Sequence, residues 1–208
     1  MIVVVDGTGE ANNAVYAKEM RNSFCSQIAS VPGATYFRGP TLAGSEVAAI
    51  ADRAAGAAQS LAASGRPIML AGYSRGGCAA ILAAKRLKSA GFRVKALFLF
   101  DPVDMQVSDK SLSQTIPDNV DYVARARTAR DIRFWLSNPV KSRFYFYNTG
   151  RWLAGSGQVD HEAFVGSHGA LGGTPWPDVV GDAACALNVA AWMSPRLKAQ
   201  GLSVNLGV

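Results

Sequence analysis

Residues 67–77 read Pro67-Ile68-Met69-Leu70-Ala71-Gly72-Tyr73-Ser74-Arg75-Gly76-Gly77. An apolar run of strand length passes into a serine framed as G-x-S-x-G, and the alanine-rich residues 76–90 follow with helical character. Strand, sharp turn and helix in that order is the context of a nucleophile elbow, in which a strained turn lifts a serine hydroxyl off the end of a sheet. Gly72 and Gly76, two before and two after the serine, remove the Cβ atoms that would collide with the neighbouring strand and helix. Ser74 would also sit at a helix N-terminus, where the helix dipole favours negative charge. The competing reading is a plain glycine-rich turn with no chemistry.

Outward from the elbow, short apolar runs alternate with longer alanine-rich ones. Residues 2–5, 34–37, 68–71 and 96–100 read as strands, and 13–28, 46–63 and 76–90 as helices, with Ser45 as N-cap of the second. Beyond the Asp101-Pro102 turn the spacing predicts a helix over 120–136 carrying Arg125, Arg127, Arg130 and Arg133. Residues 144–147 read as the last clear strand, the chain up to Pro177 as loop-rich, and 182–193 as a closing helix. This alternation predicts an α/β fold of the α/β-hydrolase type, with a mainly parallel central sheet and helices on both faces. The expected organisation is a single domain over 1–208, with 104–140 as a lid or cleft insertion.

The 208 residues are 49% apolar and 17% charged, a globular rather than disordered composition. The net charge of +6 comes with no nucleic-acid motif, so solvated helix faces are expected, with peripheral attraction to anionic lipid as the secondary reading. The three cysteines Cys25, Cys78 and Cys185 are scattered without metal spacing, which argues against a disulfide framework, a zinc site or any other metal, and no cofactor is implied. The N-terminus enters a strand without a basic or cleavable leader, so a cytoplasmic location, or export without a cleavable signal peptide, is expected.

A serine nucleophile needs a base, an acid that orients the base, and donors for the developing oxyanion. The chain has two histidines. His168 lies in the flexible Gly166-Ser167-His168-Gly169 and is the expected base, while His161, flanked by Asp160 and Glu162, reads as a surface position. Asp101 is the first polar residue beyond a buried strand, so its carboxylate should emerge at the same sheet edge as Ser74. Asp104 is the second choice of acid and Asp160 the third. Expected oxyanion donors are the N–H of Arg75 and that of Gly7 or Thr8, with Asp6 bracing that loop through hydrogen bonds.

These pieces together resemble an α/β-hydrolase family whose better-known members include phospholipase effectors of bacterial type VI secretion. The resemblance rests on Val5-Asp6-Gly7-Thr8, the elbow Gly72-Tyr73-Ser74-Arg75-Gly76, Asp101-Pro102-Val103, Ile116-Pro117-Asp118-Asn119-Val120, and the histidine segment from Phe164 to Gly173. It implies Ser74 as nucleophile, Asp101 as acid and His168 as base. Pro102 stands where the family has threonine, and Ala170 where it has an aspartate that could help fix the histidine loop.

The expected activity is a serine hydrolase that cleaves carboxylic esters through an acyl-enzyme, in the manner of a lipase, esterase or phospholipase. Its partner would be a small-molecule or lipid ester, with Phe134, Trp135, Leu136, Trp152 and Leu153 offered as acyl contacts. A thioesterase or amidase would use the same triad. Two further readings come from other classes: a non-catalytic binding module, motivated by Ala170, and nucleic-acid binding through Arg125, Arg127 and Arg130.

Overall fold

The computed structural model describes residues 1–104, 112–129 and 146–208. In chain order the described elements begin with β1 (Ile2–Val5), α1 (Asn13–Glu19), α2 (Phe24–Ala29), β2 (Thr35–Phe37), α3 (Val47–Ala62), β3 (Met69–Tyr73), α4 (Arg75–Ser89) and β4 (Ala96–Phe100). They continue with β5 (Val103–Asp104), β6 (Thr115–Ile116), β7 (Tyr122–Thr128), β8 (Tyr147–Asn148), β9 (Trp152–Leu153), β10 (Gln158–Phe164), α5 (His168–Leu171) and α6 (Asp182–Ala199).

Six strands form one sheet in the order β2-β1-β3-β4-β7-β10, and every pairing within it is parallel. The fold is α/β-hydrolase-like: a parallel sheet covered on both faces. Parallel strands buried on both sides must be apolar at every position, which is why β1 reads Ile-Val-Val-Val and β4 reads Ala-Leu-Phe-Leu-Phe. Alternate side chains serve opposite layers. Ile2, Val4, Phe98 and Phe100 pack with α2 and α6, while Val3, Val5, Leu97 and Leu99 pack with α3 and α4. Each such fully buried side chain contributes about 1.5–3 kcal/mol relative to exposure.

The winding direction reverses at β1. β2 lies on one side of it and β3 on the other, so the crevice between the carboxyl ends of β1 and β3 is a topological switch point. The residues just past those ends are Asp6-Gly7-Thr8 and Ser74. The connectivity has therefore chosen where a ligand can enter before any side-chain chemistry is considered.

Several expectations are corrected. Residues 122–128 form a strand, not a helix, because Tyr122, Ala124 and Ala126 enter one core layer while Val123 enters the other, a period of two. Alanine and arginine suit helices, but pairing with β4 on one side and β10 on the other overrides that weak preference. Arg125 is buried and donates to the Gly150 carbonyl, so it does not belong to a basic surface for nucleic acid. Arg130 and Arg133, like Phe134, Trp135 and Leu136, lie outside the described residues. β10 occupies chain expected to be loop. Residues 13–28 are two helices, interrupted so that Ser23 can cap α2 by accepting the Ser26 N–H. α3 starts beyond Ser45 without a side-chain cap, and α6 runs past Met193 through Pro195 to Ala199. Among the described residues no helix is long and apolar enough to cross a membrane.

Candidate active site

β3 ends where the chain must turn sharply into α4, and Ser74 takes the strain with φ 56° and ψ −130°. The left-handed region is costly for a residue with a Cβ, so it persists only where the surroundings enforce it. They do so through hydrogen bonds. The Ser74 N–H donates to the Phe100 carbonyl at 3.0 Å, and the Ser74 carbonyl accepts from Val103 N–H at 3.1 Å. Glycine is obligatory beside it: a Cβ on Gly76 would fall 2.1 Å from the Asp6 carbonyl oxygen, and one on Gly72 would fall 2.5 Å from that of Gly76.

The next strand end brings in the carboxylate. Asp101 follows β4, is fully buried, and also has a positive φ of 42°. Its Oδ1 accepts the Thr128 N–H at 3.1 Å, and its Oδ2 accepts the Thr128 hydroxyl at 2.7 Å. Thr128 closes β7, the strand beside β4, so its side chain reaches the same edge. Oδ2 also meets His168 Nδ1 at 2.7 Å. His168 Nε2 stands 2.8 Å from Ser74 Oγ. An ionised carboxylate only accepts, so Nδ1 carries the proton and the Nε2 lone pair faces the serine O–H.

The imidazole is held from its other sides. Its ring packs against Tyr73 (centroids 5.1 Å apart) and Phe146 (6.1 Å), and the Tyr73 hydroxyl donates to the His168 carbonyl at 3.1 Å. The preceding residue, Ser167, caps α5 by accepting the Ala170 N–H. Ser167 is anchored in turn by the buried Asp182, the first residue of α6. One carboxylate oxygen accepts Ser167 N–H at 2.7 Å, and the other accepts the Ser167 hydroxyl at 2.6 Å and Trp176 N–H at 2.7 Å. A carboxylate from a different element, α6, thus fixes the loop that carries the histidine.

Of the sequence candidates, Ser74, Asp101 and His168 come together, while the second-choice carboxylates do not. Asp104 faces the thiol of Cys78, and Asp160 binds the Tyr122 hydroxyl and Arg196. His161 sits on β10 with Nδ1 3.2 Å from the Arg125 carbonyl, separated from β3 by two strands. Arg75 opens α4, where its N–H is outside the helical ladder. The Gly7 N–H is already donated to Asp6 Oδ1 at 2.7 Å, which removes it as an oxyanion donor. The Thr8 N–H meets no acceptor among the described residues.

Asp6 does brace this loop. Besides Gly7 it accepts from the Ser23 hydroxyl at 2.5 Å and the Tyr36 hydroxyl at 2.9 Å, and burial nevertheless pushes its carboxyl up to about 6. Thr128 and Asp182 are the residues that sequence reasoning missed. The first would have surfaced had 122–128 been read as a strand parallel to β4.

A cavity of about 750 Å³ opens over the serine, walled by Thr8, Leu42, Phe146 and Trp176 together with Ser74 and His168. Trp152 and Leu153 pair with β6 and are not among its described walls. Among the described residues no cluster of His, Cys, Asp and Glu could hold a metal ion. The arrangement can move a proton from Ser74 to His168 beside a largely apolar chamber.

The family model of the thioesterase domain matches residues 16–131, more than half of the chain. Among solved structures, the Vlm2 thioesterase domain bound with a dodecadepsipeptide is similar at 14% identity and TM-score 0.44, with 93% of this chain and 92% of that one covered. The NocB thioesterase domain from the nocardicin cluster is similar at 16% identity and TM-score 0.44, with 92% and 94% covered. The RedJ thioesterase of the prodiginine pathway in Streptomyces coelicolor is similar at 12% identity and TM-score 0.38, with 84% and 81% covered. No curated protein sequence matches.

Proposed function

The chain belongs to the thioesterase-domain family, and from that premise we propose that it is a serine hydrolase that cleaves acyl thioesters through an acyl-enzyme on Ser74. The observation that carries this is the relay of Ser74 Oγ to His168 Nε2 at 2.8 Å and His168 Nδ1 to Asp101 Oδ2 at 2.7 Å. Ser74 Oγ attacks the acyl carbon as its proton passes to Nε2, giving a tetrahedral oxyanion and an imidazolium stabilised by Asp101. Collapse expels the thiolate, which takes the proton from Nε2. Water then attacks the acyl-serine, again through His168, and releases the carboxylic acid and the free hydroxyl.

The sequence put carboxylic esters of acyl lipids first and left thioesters and amides as unseparated alternatives with the same triad; membership of the thioesterase-domain family favours thioesters. The chemistry agrees, because a thiol, with a pKa near ~8.5, leaves far more readily than an alcohol. Oxygen esters are the secondary substrates, and the cavity's aromatic and aliphatic walls suit an apolar acyl group rather than nucleic acid. A single domain fits this reading, since β1 near the N-terminus and α6 near the C-terminus pack in one core layer. Against the non-catalytic alternative speak the anchoring of the histidine loop by Asp182 and the contacts of His168 with both Ser74 and Asp101.

The test compares N-acetylcysteamine thioesters with alkyl esters of the same acyl group and adds a fluorophosphonate probe. Faster turnover of the thioester, with labelling abolished in Ser74→Ala, is expected. Absent labelling in the wild type, or labelling that survives Ser74→Ala, refutes the proposal.

A further inference from the structure

An oxyanion hole is only as good as the orientation of its N–H groups, and a loop peptide can turn over unless something holds it. The second candidate donor here is the N–H of Thr8, in the loop after β1. That N–H shares a peptide plane with the Gly7 carbonyl, and no peptide bond in the described chain is cis. In a trans peptide the two groups point in opposite directions. Whatever grips the Gly7 oxygen therefore aims the Thr8 N–H.

The Gly7 oxygen is gripped by Tyr16. This buried phenol donates to it at 2.8 Å and is itself fixed by accepting the Gly39 N–H at 2.7 Å. A second hold acts on the Thr8 side chain. Arg75, 1% exposed, donates from Nε to Thr8 Oγ1 at 2.8 Å and from Nη2 to the carbonyls of Thr41 and Leu42 at 2.8 and 3.2 Å. The loop closes tightly over it: a Cβ on Gly44, itself at φ +72°, would fall 1.7 Å from Arg75 Nη1, so the guanidinium would have to shift. Arg75 thus connects the elbow, the loop bearing Thr8 and the loop bearing Leu42, and both Thr8 and Leu42 wall the cavity.

We propose that Tyr16 and the Arg75 side chain are positioning residues that lock the Gly7–Thr8 peptide so that its N–H faces the oxyanion formed at Ser74. The inference rests on the acyl-enzyme reading above and deepens it. Neither side chain touches the reacting atoms. Both act through Thr8, with Tyr16 setting the peptide plane and Arg75 setting the side chain. The two holds act on one donor, so their losses should not multiply.

The experiment uses Tyr16→Phe, Thr8→Val and the double variant, each a near-isosteric removal of one hydroxyl. An oxyanion donor is worth about 10²–10³ in kcat, so a loosened one should lower kcat by at least about 10-fold with KM little changed. Affinity for an alkyl boronic acid, which forms a tetrahedral adduct on the serine, should fall by the same factor as kcat/KM. The double variant should be little worse than the poorer single one. Unchanged kcat and boronic-acid affinity in both singles, in protein whose Ser74 still takes the fluorophosphonate, overturns this inference alone. So do effects that multiply. Wild-type protein that takes no label removes the acyl-enzyme reading, and this inference with it. Should Tyr16→Phe fail to fold, Thr8→Val alone decides by the same two readouts.

Discussion

Asp6 is a charge kept where the fold does not want one. It is fully buried beneath the loop that carries Thr8, and burial outweighs the hydrogen bonds from Ser23, Gly7 and Tyr36, so its carboxyl is raised to about 6. An unfolded aspartate titrates near ~3.9, and at ~1.36 kcal/mol per pH unit the difference corresponds to roughly 3 kcal/mol. The sign follows from proton counting. Between the two values the native state holds a proton that the unfolded state has lost, so the stabilisation from neutral Asp6 is complete below about pH 4 and is lost as pH rises through about 6. Asp6→Asn mimics the neutral form, since its oxygen can still accept from Gly7 N–H while the Ser23 and Tyr36 hydroxyls turn to accept from its amide. Urea unfolding of both proteins, followed by tryptophan fluorescence from about pH 4 to about pH 7, isolates this site because other carboxylates cancel in the difference. The stability of wild type minus variant should fall by roughly 3 kcal/mol across that range, leaving the variant relatively favoured at neutral pH. A difference that stays flat with pH would refute the reasoning, because Asp6 would then titrate alike in both states.

Thr128→Val keeps the shape of β7 but deletes the 2.7 Å hydroxyl bond to Asp101 Oδ2. A hydrogen bond to a charged group is worth about 1.5–3 kcal/mol, so a lower Tm is expected together with a loss in kcat that Thr128→Ser restores in large part; unchanged kcat would show that Asp101 needs no such support. Asp182→Asn replaces one acceptor oxygen by a donor in a site that receives three donors from Ser167 and Trp176. Thermal melts and steady-state rates should show a loss of about 1.5–3 kcal/mol with a matching fall in kcat, and full activity in the folded variant would free His168 from dependence on α6. Gly76→Ala should yield little folded protein on a sizing column, since its Cβ meets backbone oxygens of Val5 and Asp6 at 2.4 and 2.1 Å; a soluble, active variant would mean that the elbow and β1 can separate.

What the sequence disclosed and what it withheld divide along a physical line. β1, β3 and β4 are buried on both faces, so their residue types are dictated by solvent exclusion and show as continuous apolar runs. The elbow was legible because backbone strain demands glycine at fixed offsets from Ser74. β7 and β10 carried no such mark. Arg125 on β7 is a buried charged residue that donates to the Gly150 carbonyl, and β10 is an edge strand whose Gln158-Val159-Asp160-His161 faces solvent or Arg196. Their strand character comes from pairing, β7 with β4 and β10 and β10 with β7, which no local window contains. The same holds for the site. Ser74, Asp101 and His168 each announce themselves through their neighbours in the chain, whereas Thr128 lies 27 residues from the carboxylate it holds and Asp182 lies 15 from the serine it anchors. A reacting group must be a particular residue type in a particular local conformation. A supporting group need only bring the right donor or acceptor to the right point, and many sequences can do that. The machinery that holds the imidazole in place is therefore unmarked in any local stretch of sequence, and only the folded chain reveals that Thr128 and Asp182 supply it.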